Sequence, residues 1–288
     1  MSDKFIIEWS KKDYEVLNKN LSEDNYKYFI NFCDKYKTFC SSLNKNVKDT
    51  TAIMLLKKDV PSFYLIESKF FLFHYTYVYK LRNICRSFSS NINSRNFLSA
   101  SIILRSMLET TCLHSFILKR IDNLLSGIKD PRSVGEKLHE VNKVLQQSHT
   151  GTSINWEKIF GSDYKFNVME NIRVIEAIRD TSKFRDKRIN TYYELLSEIT
   201  HPNFGSNALV IQNNGREDEL KIERILGDGD GPDTFIFFFE ILSETLLGTI
   251  NLTANVWSVS TDYARFFRNL TDVSKDKPTD LYQNNTTQ

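Results

Sequence analysis

Apolar residues recur every three or four positions through most of this chain, the spacing of amphipathic helices. Two segments, 62–88 and 94–125, are apolar nearly all round and are predicted to be central helices of a bundle. Further helices are predicted between 14 and 46, where Ser22 or Asp24 could cap the second of two, and at 134–147, 166–180, 184–201 and 234–259. The predicted fold class is therefore mainly α, a helical bundle.

A different pattern precedes the last helix. Two alternating runs flank Asn213-Asn214-Gly215 and predict a small β-hairpin insertion near 208–226, after which Asp233 is predicted to cap the last helix. From about residue 273 the chain is polar and low in apolar residues, which predicts a disordered tail. The predicted organisation is N-terminal helices at 1–60 packed on a bundle at 61–272, followed by a tail at 273–288.

Composition supports a large aromatic core and adds little about function. The chain has 10 Gly and 5 Pro but 21 Phe and 13 Tyr, so helix breakers are few and bulky core residues are many. A net charge of +2 gives no global basic field of the kind that marks many nucleic-acid-binding proteins, although a local basic patch is compatible with it.

Several features predict a cytoplasmic protein with no membrane segment. Asp3 and Glu8 interrupt the N-terminal stretch where a signal peptide would be apolar. The longest apolar stretch, 235–250, contains Glu240 and Glu244 and is shorter than the roughly 20 residues of a membrane span. The four cysteines form no C-x-x-C pair and are predicted to be reduced thiols of the core: Cys33, Cys40, Cys85 and Cys112.

The predicted helix at 94–125 carries an Arg and a Glu in an apolar stripe. Arg105 and Glu109 are four residues apart, and the stripe within about 60° of Arg105 also contains Leu98, Ile102, Cys112 and Phe116. Buried charges require partners, so the two residues are either a structural ion pair or the lining of a polar site. His114 lies on the opposite side of the same helix, and we predict that His114 and His74 are ordinary core histidines.

The helix predicted from about Phe184 ends in a second polar feature. Glu194, Ser197, Asn190 and Lys183 lie within about 40° of His201, opposite an apolar face. His201 stands at the C-terminus, where the helix dipole favours a protonated imidazole, and Pro202 ends the helix. This histidine is either a cap on a solvated face or a general acid and phosphate contact.

The residues RSMLE (105–109) on a buried helix, followed by YYELLSEITHPNFG (192–205), a hairpin and a long apolar helix, resemble a family of uncharacterised bacterial all-helical proteins. That family is similar to the HEPN group of helical ribonucleases and nucleotide-binding modules of toxin–antitoxin and phage-defence systems. The resemblance covers about 61–260. It implies a helical bundle that forms a homodimer, and in active members Arg stabilises the charged transition state of RNA cleavage while His moves the proton, without a metal.

The sequence departs from the HEPN pattern, in which Arg is followed by His after four to six residues on one helix. The nearest match is Arg132 to His139, on a helix for which Asp130 is the predicted cap, and it is the second candidate pair. The first candidate set is Arg105 and His201, assisted by Glu109 and Ser197, which must meet across helices.

Other chemistry finds less support in the sequence. Phosphate-binding Gly-rich loops, H-E-x-x-H and Cys/His zinc clusters are all missing from it. Two Glu-x-x-His units, 136–139 and 198–201, leave a ferritin-like di-metal site open, although Glu67 and Glu109 have no matching spacing. We predict no cofactor and no metal.

Two functional hypotheses follow. The first is a HEPN-like protein of a bacterial defence or toxin system that cleaves RNA without a metal. The second is a non-catalytic helical module that dimerises and binds a partner protein or ligand, in which Arg105 and Glu109 are purely structural.

Overall fold

The computed structural model of the protein describes residues 6–56, 66–126, 134–150, 172–201, 211–213, 222–225 and 232–275. Within these ranges the chain forms eight helices and two short strands. In chain order they are α1 (Lys11–Asn20), α2 (Glu23–Leu56), α3 (Ile66–Asn93), α4 (Phe97–Ser126), α5 (Val134–Thr150), α6 (Val174–Phe184), α7 (Arg188–Thr200), β1 (Ile211–Asn213), β2 (Ile222–Ile225) and α8 (Pro232–Lys275). The prediction of a mainly α bundle is confirmed.

Helix α4 lies at the centre of the bundle. It packs against α3, α5, α6, α7 and α8, and its buried residues occupy more than one side of the helix. Helix α8 packs along α2 and also contacts α1, α3, α4 and α7. A helix with neighbours on several sides must be apolar on several sides, which explains the pattern of 94–125.

The N-terminal helices begin with side-chain caps. Ser10 and Asp13 form a capping box on α1, and Asn25 N donates to Ser22 Oγ at 3.2 Å at the start of α2. The prediction that Ser22 or Asp24 caps the second helix is therefore confirmed for Ser22. The prediction for Asp233 is wrong, because α8 already begins at Pro232 and Asp233 lies in its first turn.

The corner between α3 and α4 holds a residue in the left-handed region. Arg95 has φ 57°, a conformation that costs about 1 kcal/mol for a residue with a Cβ. Its guanidinium lies 2.7 Å from the Asp13 carboxylate and 4.4 Å from the centroid of the Phe235 ring. These contacts tie the corner to α1 and α8 and offset the backbone cost.

The boundaries between α6 and α7 differ from the prediction. Helix α6 begins at Val174. The helix predicted from residue 166 is wrong at residues 172 and 173, which are described and not helical, while 166–171 lie outside the described ranges. The helix expected from Phe184 begins only at Arg188, after a turn in which Arg188 N donates to Asp186 Oδ1 at 3.0 Å. Lys183 therefore belongs to α6 and does not share a helix face with His201.

The two strands pair antiparallel, with Ile211 opposite Ile225 and Gln212 opposite Arg224 and an irregular register at Asn213. Residues 214–221, where the predicted turn lies, fall outside the described ranges. The division at residue 60 also falls outside them. Helix α8 continues to Lys275, past the predicted start of the tail at 273.

The cysteines are free thiols, as predicted. Cys40, Cys85 and Cys112 are buried and Cys33 is partly buried. Tyr36 is buried beside two of them, and its hydroxyl donates to the Cys85 carbonyl at 2.9 Å. Burial raises the pKa of the Cys33 and Cys112 thiols to about 12, so both are held in the unreactive protonated form.

One helix among the described residues, Asp233–Arg268 within α8, is long and apolar enough to cross a membrane. In its most apolar window 56% of the helix is buried inside the bundle. A core helix passes the same length and composition test as a membrane span, so this feature does not decide where the protein resides.

Candidate functional site

All three guanidinium nitrogens of Arg105 are hydrogen-bonded, one to a residue of α4 and two to residues of α7. Nε donates to Glu109 Oε1 at 2.9 Å, Nη1 donates to Thr200 Oγ1 at 2.9 Å, and Nη2 donates to the Tyr193 hydroxyl at 3.2 Å. The guanidinium carbon also lies 5.1 Å from the centroid of the Tyr193 ring. A residue predicted from a stripe on one helix therefore holds two helices together.

The Arg105–Glu109 pair lies at the surface of the bundle. Its two side chains are 23% and 28% exposed, and Leu98 and Ile102 on the same stripe are 36% and 43% exposed. The apolar stripe around Arg105 is thus buried at Cys112 but exposed to solvent in its N-terminal half, at Leu98 and Ile102. The pair is neither sealed in the core nor fully solvated.

The surroundings of Arg105 secure its charge. Partial burial alone would lower the pKa of Arg105, but the Tyr193 hydroxyl and the Glu109 carboxylate outweigh burial and raise that pKa. A permanent cation therefore faces the C-terminal end of α7. Such a group binds phosphate well when the geometry lets it exchange a partner.

Helix α7 ends at Thr200, and His201 follows as the C-terminal cap in an extended conformation (φ −79°, ψ 150°). The His201 N–H donates to the Ser197 carbonyl at 3.0 Å, and Thr200 Oγ1 donates to the same carbonyl at 3.3 Å. The imidazole is exposed and makes no hydrogen bond to another described residue.

Ser197 lies one turn before His201. Its hydroxyl oxygen is buried and has no hydrogen-bond partner within the described part of the chain. Buried hydroxyls normally find a partner, so this oxygen is an unused donor and acceptor beside the end of α7. The apolar face opposite is packed as predicted, with Ile189, Tyr192, Leu196 and Ile199 buried.

The structure brings together some of the predicted residues and not others. Arg105 and Glu109 meet the end of α7, and Arg105 contacts Thr200, the residue before His201. Contact between the Arg105 and His201 side chains is not observed among the described residues. Of the second candidate pair, His139 is exposed on α5, and Arg132 lies outside the described residues.

Sequence reasoning missed Tyr193 and Thr200. They are seven residues apart and therefore share a face of α7, which was the available signal. The sequence could not show that this face is the one turned toward Arg105.

His74 and His114 are core residues, as predicted, and they share one partner. His74 Nδ1 lies 2.7 Å and His114 Nε2 lies 2.8 Å from the buried Ser260 hydroxyl oxygen on α8. The His114 ring stacks on Phe73 and Tyr77, with centroids 4.0 and 3.8 Å apart. The hydroxyl has one proton, so it donates to one neutral imidazole and accepts from the other.

The described residues contain no group of three or more His, Cys, Asp or Glu side chains placed to bind a metal ion. In the di-metal alternative, Glu109 is bonded to Arg105 and Glu198 is exposed. The residues present therefore do not form a ferritin-like ligand set in the described structure.

A groove of about 740 Å³ lies between α2 and α8, away from the candidate residues. Its walls carry charges of both signs, including Asp34, Lys35, Asp262 and Arg265, and its lining includes Trp257. It has no counterpart in the sequence predictions, because it exists only where two distant helices meet.

Comparison of the chain with protein-family models, with curated proteins and with solved structures finds no match to any of them. The HEPN resemblance therefore stays an expectation from the sequence, and the candidate site has to be judged on its own geometry.

Proposed function

We propose that this protein is a cytoplasmic, HEPN-like helical protein of a bacterial defence or toxin system that cleaves RNA without a metal. The observation that carries the proposal is the hydrogen bond from Arg105 to Thr200, which places a permanent cation next to the residue that precedes the exposed His201. An Arg and a His at one corner of a bundle are the two groups that such cleavage requires.

Each residue has a role in the proposed reaction. Arg105 would bind the scissile phosphate and stabilise the charge that develops on it, after exchanging a contact to Thr200 or Tyr193. His201 would act as the general acid or base that transfers the proton during RNA cleavage. Glu109 holds Arg105 in place. The Ser197 hydroxyl, which is buried and has no hydrogen-bond partner among the described residues, would assist only after a local movement uncovers it to the bound strand.

The proposal includes two further structural features. The first is a homodimer, as the sequence resemblance implies. The second is a β-hairpin near 208–226 that joins the paired strands β1 and β2. Light scattering of the purified protein tests the dimer.

A second candidate function is a non-catalytic module that binds a protein partner or ligand. It is favoured by the saturation of Arg105, whose three guanidinium nitrogens all have partners inside the chain. A guanidinium used in this way serves as a brace between α4 and α7 and needs no substrate.

The test is incubation of the purified protein with total RNA in excess EDTA, beside Arg105→Ala and His201→Ala variants whose folding is checked by circular dichroism. The matched control is Arg265→Ala, which removes an exposed arginine of α8, and His139→Ala tests the second candidate pair. We expect cleavage by the parent, by the control and by His139→Ala, and none by the two site variants. Intact RNA with the parent, also after addition of Mg²⁺ or Mn²⁺, would overturn the proposal and favour the second candidate.

A further inference from the structure

Helix α6 and the turn that follows it carry a concentrated positive charge in a chain that is nearly neutral as a whole. Residues 173–188 contain six Lys and Arg against three Asp and Glu, a net charge of +3, whereas the whole chain has a net charge of +2. We use the name basic corner for this turn together with its neighbour on α4, defined by Lys119, Lys183, Phe184, Arg185 and Lys187.

Phe184 is the centre of the basic corner. It is the last residue of α6 and is 59% exposed. Lys119 Nζ lies 5.0 Å and Arg185 Cζ lies 5.7 Å from the centroid of its ring. The corner therefore presents an exposed aromatic ring with two cations close to it.

Arg185 has no acidic partner among the described residues. It is half-buried, and its Nε donates to Ser115 Oγ at 2.8 Å, but no carboxylate of a described residue pairs with it. Burial lowers the pKa of Arg185, which reflects the cost of holding this charge away from water without a counter-ion. A bound phosphate would supply that counter-ion.

The other cations divide into two groups. Lys119 pairs with Asp180 at 2.7 Å, and Arg188 pairs with Asp186 at 2.7 Å and with Glu244 at 3.1 Å. Lys183 and Lys187 are exposed and form no ion pair with another residue that the structure describes. Arg185, Lys183 and Lys187 therefore have no carboxylate partner among the described residues.

We propose that the basic corner binds single-stranded nucleic acid, with a base stacked on Phe184 and phosphates bound by Arg185, Lys183 and Lys187. An exposed aromatic ring among cations is the combination that single strands recognise, since every base has a flat face and every linkage has a charge. A membrane surface fits less well, because one exposed ring does not form the broad apolar face of an interfacial helix. An acidic peptide would use the cations but leave the ring without a stacking partner.

The basic corner and Arg105 lie near opposite ends of α7. The 13 residues of this helix span about 18–20 Å, so a strand bound at the corner runs along α7 to reach Arg105. This step rests on the proposed function, whereas binding at the corner requires no cleavage.

The first test is fluorescence anisotropy with a labelled 12-nucleotide oligouridine in EDTA, using the His201→Ala protein to prevent cleavage. We expect Phe184→Ala in that background to weaken binding roughly 10-fold, as the loss of one stacked base does. The matched control is Phe266→Ala, which removes another exposed phenylalanine, 44% exposed on α8, and should leave the Kd unchanged.

The second test is the salt dependence of the same binding. Lys183→Gln combined with Lys187→Gln should reduce the slope of log K against log salt by about 1.4, because each lost contact to a single strand removes about 0.7. Lys11→Gln combined with Lys12→Gln, on α1, is the control for charge alone and should leave the slope unchanged.

The outcomes separate this inference from the proposed function. Binding that depends on Phe184, from a parent protein that cleaves no RNA, supports the corner and overturns the nuclease. The absence of binding at protein concentrations up to about 10⁻⁴ M, the range in which even weak non-specific contacts are detected, overturns the corner. Equal loss with the control variants also overturns it, as does tighter binding to duplex RNA, to polyglutamate or to phosphatidylserine vesicles.

Discussion

Helix α4 carries two polar clusters on opposite sides, and they differ in almost every physical respect. His114 shares the Ser260 hydroxyl with His74, and all three residues are buried between α3, α4 and α8. Arg105, nine residues earlier, reaches across to α7 and stays 23% exposed. The histidines of the first cluster are neutral and enclosed, whereas His201 beside the second is exposed.

Residue type alone therefore does not identify a functional site. The histidine cluster resembles a catalytic arrangement, since a serine lies within hydrogen-bond distance of two imidazoles, yet the Ser260 side chain is buried from solvent. The Arg105 cluster contains an ordinary i,i+4 ion pair with Glu109, but it lies at the surface, where a substrate can arrive. Access to solvent, more than the identity of the side chains, therefore separates the structural cluster from the candidate site.

The largest expected effect is that of pH on the buried histidines. Burial lowers the pKa of His74 from 6.5 to about 4, and burial also lowers the pKa of His114 well below its ordinary value. The unfolded chain therefore binds more protons below pH 6.5, so stability is fully present above 6.5 and falls toward pH 4, by about 3 kcal/mol for His74 alone. Urea denaturation at pH 7.5, 6, 5 and 4 measures this fall.

The control for this prediction is His139→Gln, which removes an exposed histidine and should keep the full pH dependence. His74→Gln should reduce it. A free energy of unfolding that is flat between pH 6.5 and 4.5 would mean that the imidazoles reach water, and the contrast between the two clusters would be lost.

The next effect concerns how α7 is attached to the bundle. The Tyr192 ring packs on Gly248 of α8, and its hydroxyl donates to Glu244 Oε1 at 3.1 Å. A Cβ at position 248 would overlap that ring, so Gly248→Ala should destabilise the fold by about 2 kcal/mol and displace α7. Gly135→Ala is the control, because nothing lies within 4 Å of its Cβ position; an equal melting temperature for both variants would contradict the packing.

Removal of Arg105 should have a similar or smaller effect. Arg105→Ala breaks three hydrogen bonds between and within α4 and α7, and we expect a loss of about 2 kcal/mol. Glu109→Ala should lose only about 1 kcal/mol, because the ion pair is partly solvated, whereas a sealed pair would lose about 3–5 kcal/mol. Urea denaturation of both variants decides between these values, and a loss above 3 kcal/mol for Glu109→Ala would show that the pair is closed to water.

The smallest expected effect is that of His201→Ala. The imidazole is exposed and unpartnered among the described residues, while the cap depends on the backbone N–H, so we expect a change in stability within about 0.5 kcal/mol. Thermal denaturation measures it. A loss above 1 kcal/mol would give His201 a structural role and would remove the distinction between it and the buried histidines.

Much of the fold could be predicted from the sequence because helical periodicity and caps are local. The break at Ser22 and the end of α7 at Thr200 depend on residues within one turn. The break between α6 and α7 was placed wrongly because residues 183–188 contain neither Gly nor Pro, and the signal was a single Asp186. The usual sequence signals for the end of a helix do not include a single Asp, so this break was not predicted.

The candidate site was predicted only in part because it depends on distances between helices. A helical wheel shows the direction of Arg105 but not what covers that direction, so the exposure of Leu98 and Ile102 was missed. The choice of Thr200 and Tyr193 as partners requires the packing of α7 on α4. These residues lie 95 and 88 positions after Arg105 in the chain, so local periodicity carries no signal of the contact. Charge density at 173–188, in contrast, could be read from the sequence directly.

The four free cysteines can report the order in which parts of the bundle open. Three of the four thiols are buried at 0–1% exposure, whereas Cys33 is only partly buried. A thiol reagent added to the native protein therefore modifies Cys33 through local fluctuations and reaches Cys40, Cys85 and Cys112 only when the packing of α2, α3 and α4 opens. The order in which these four labels accumulate would map, without any mutation, which helices separate first.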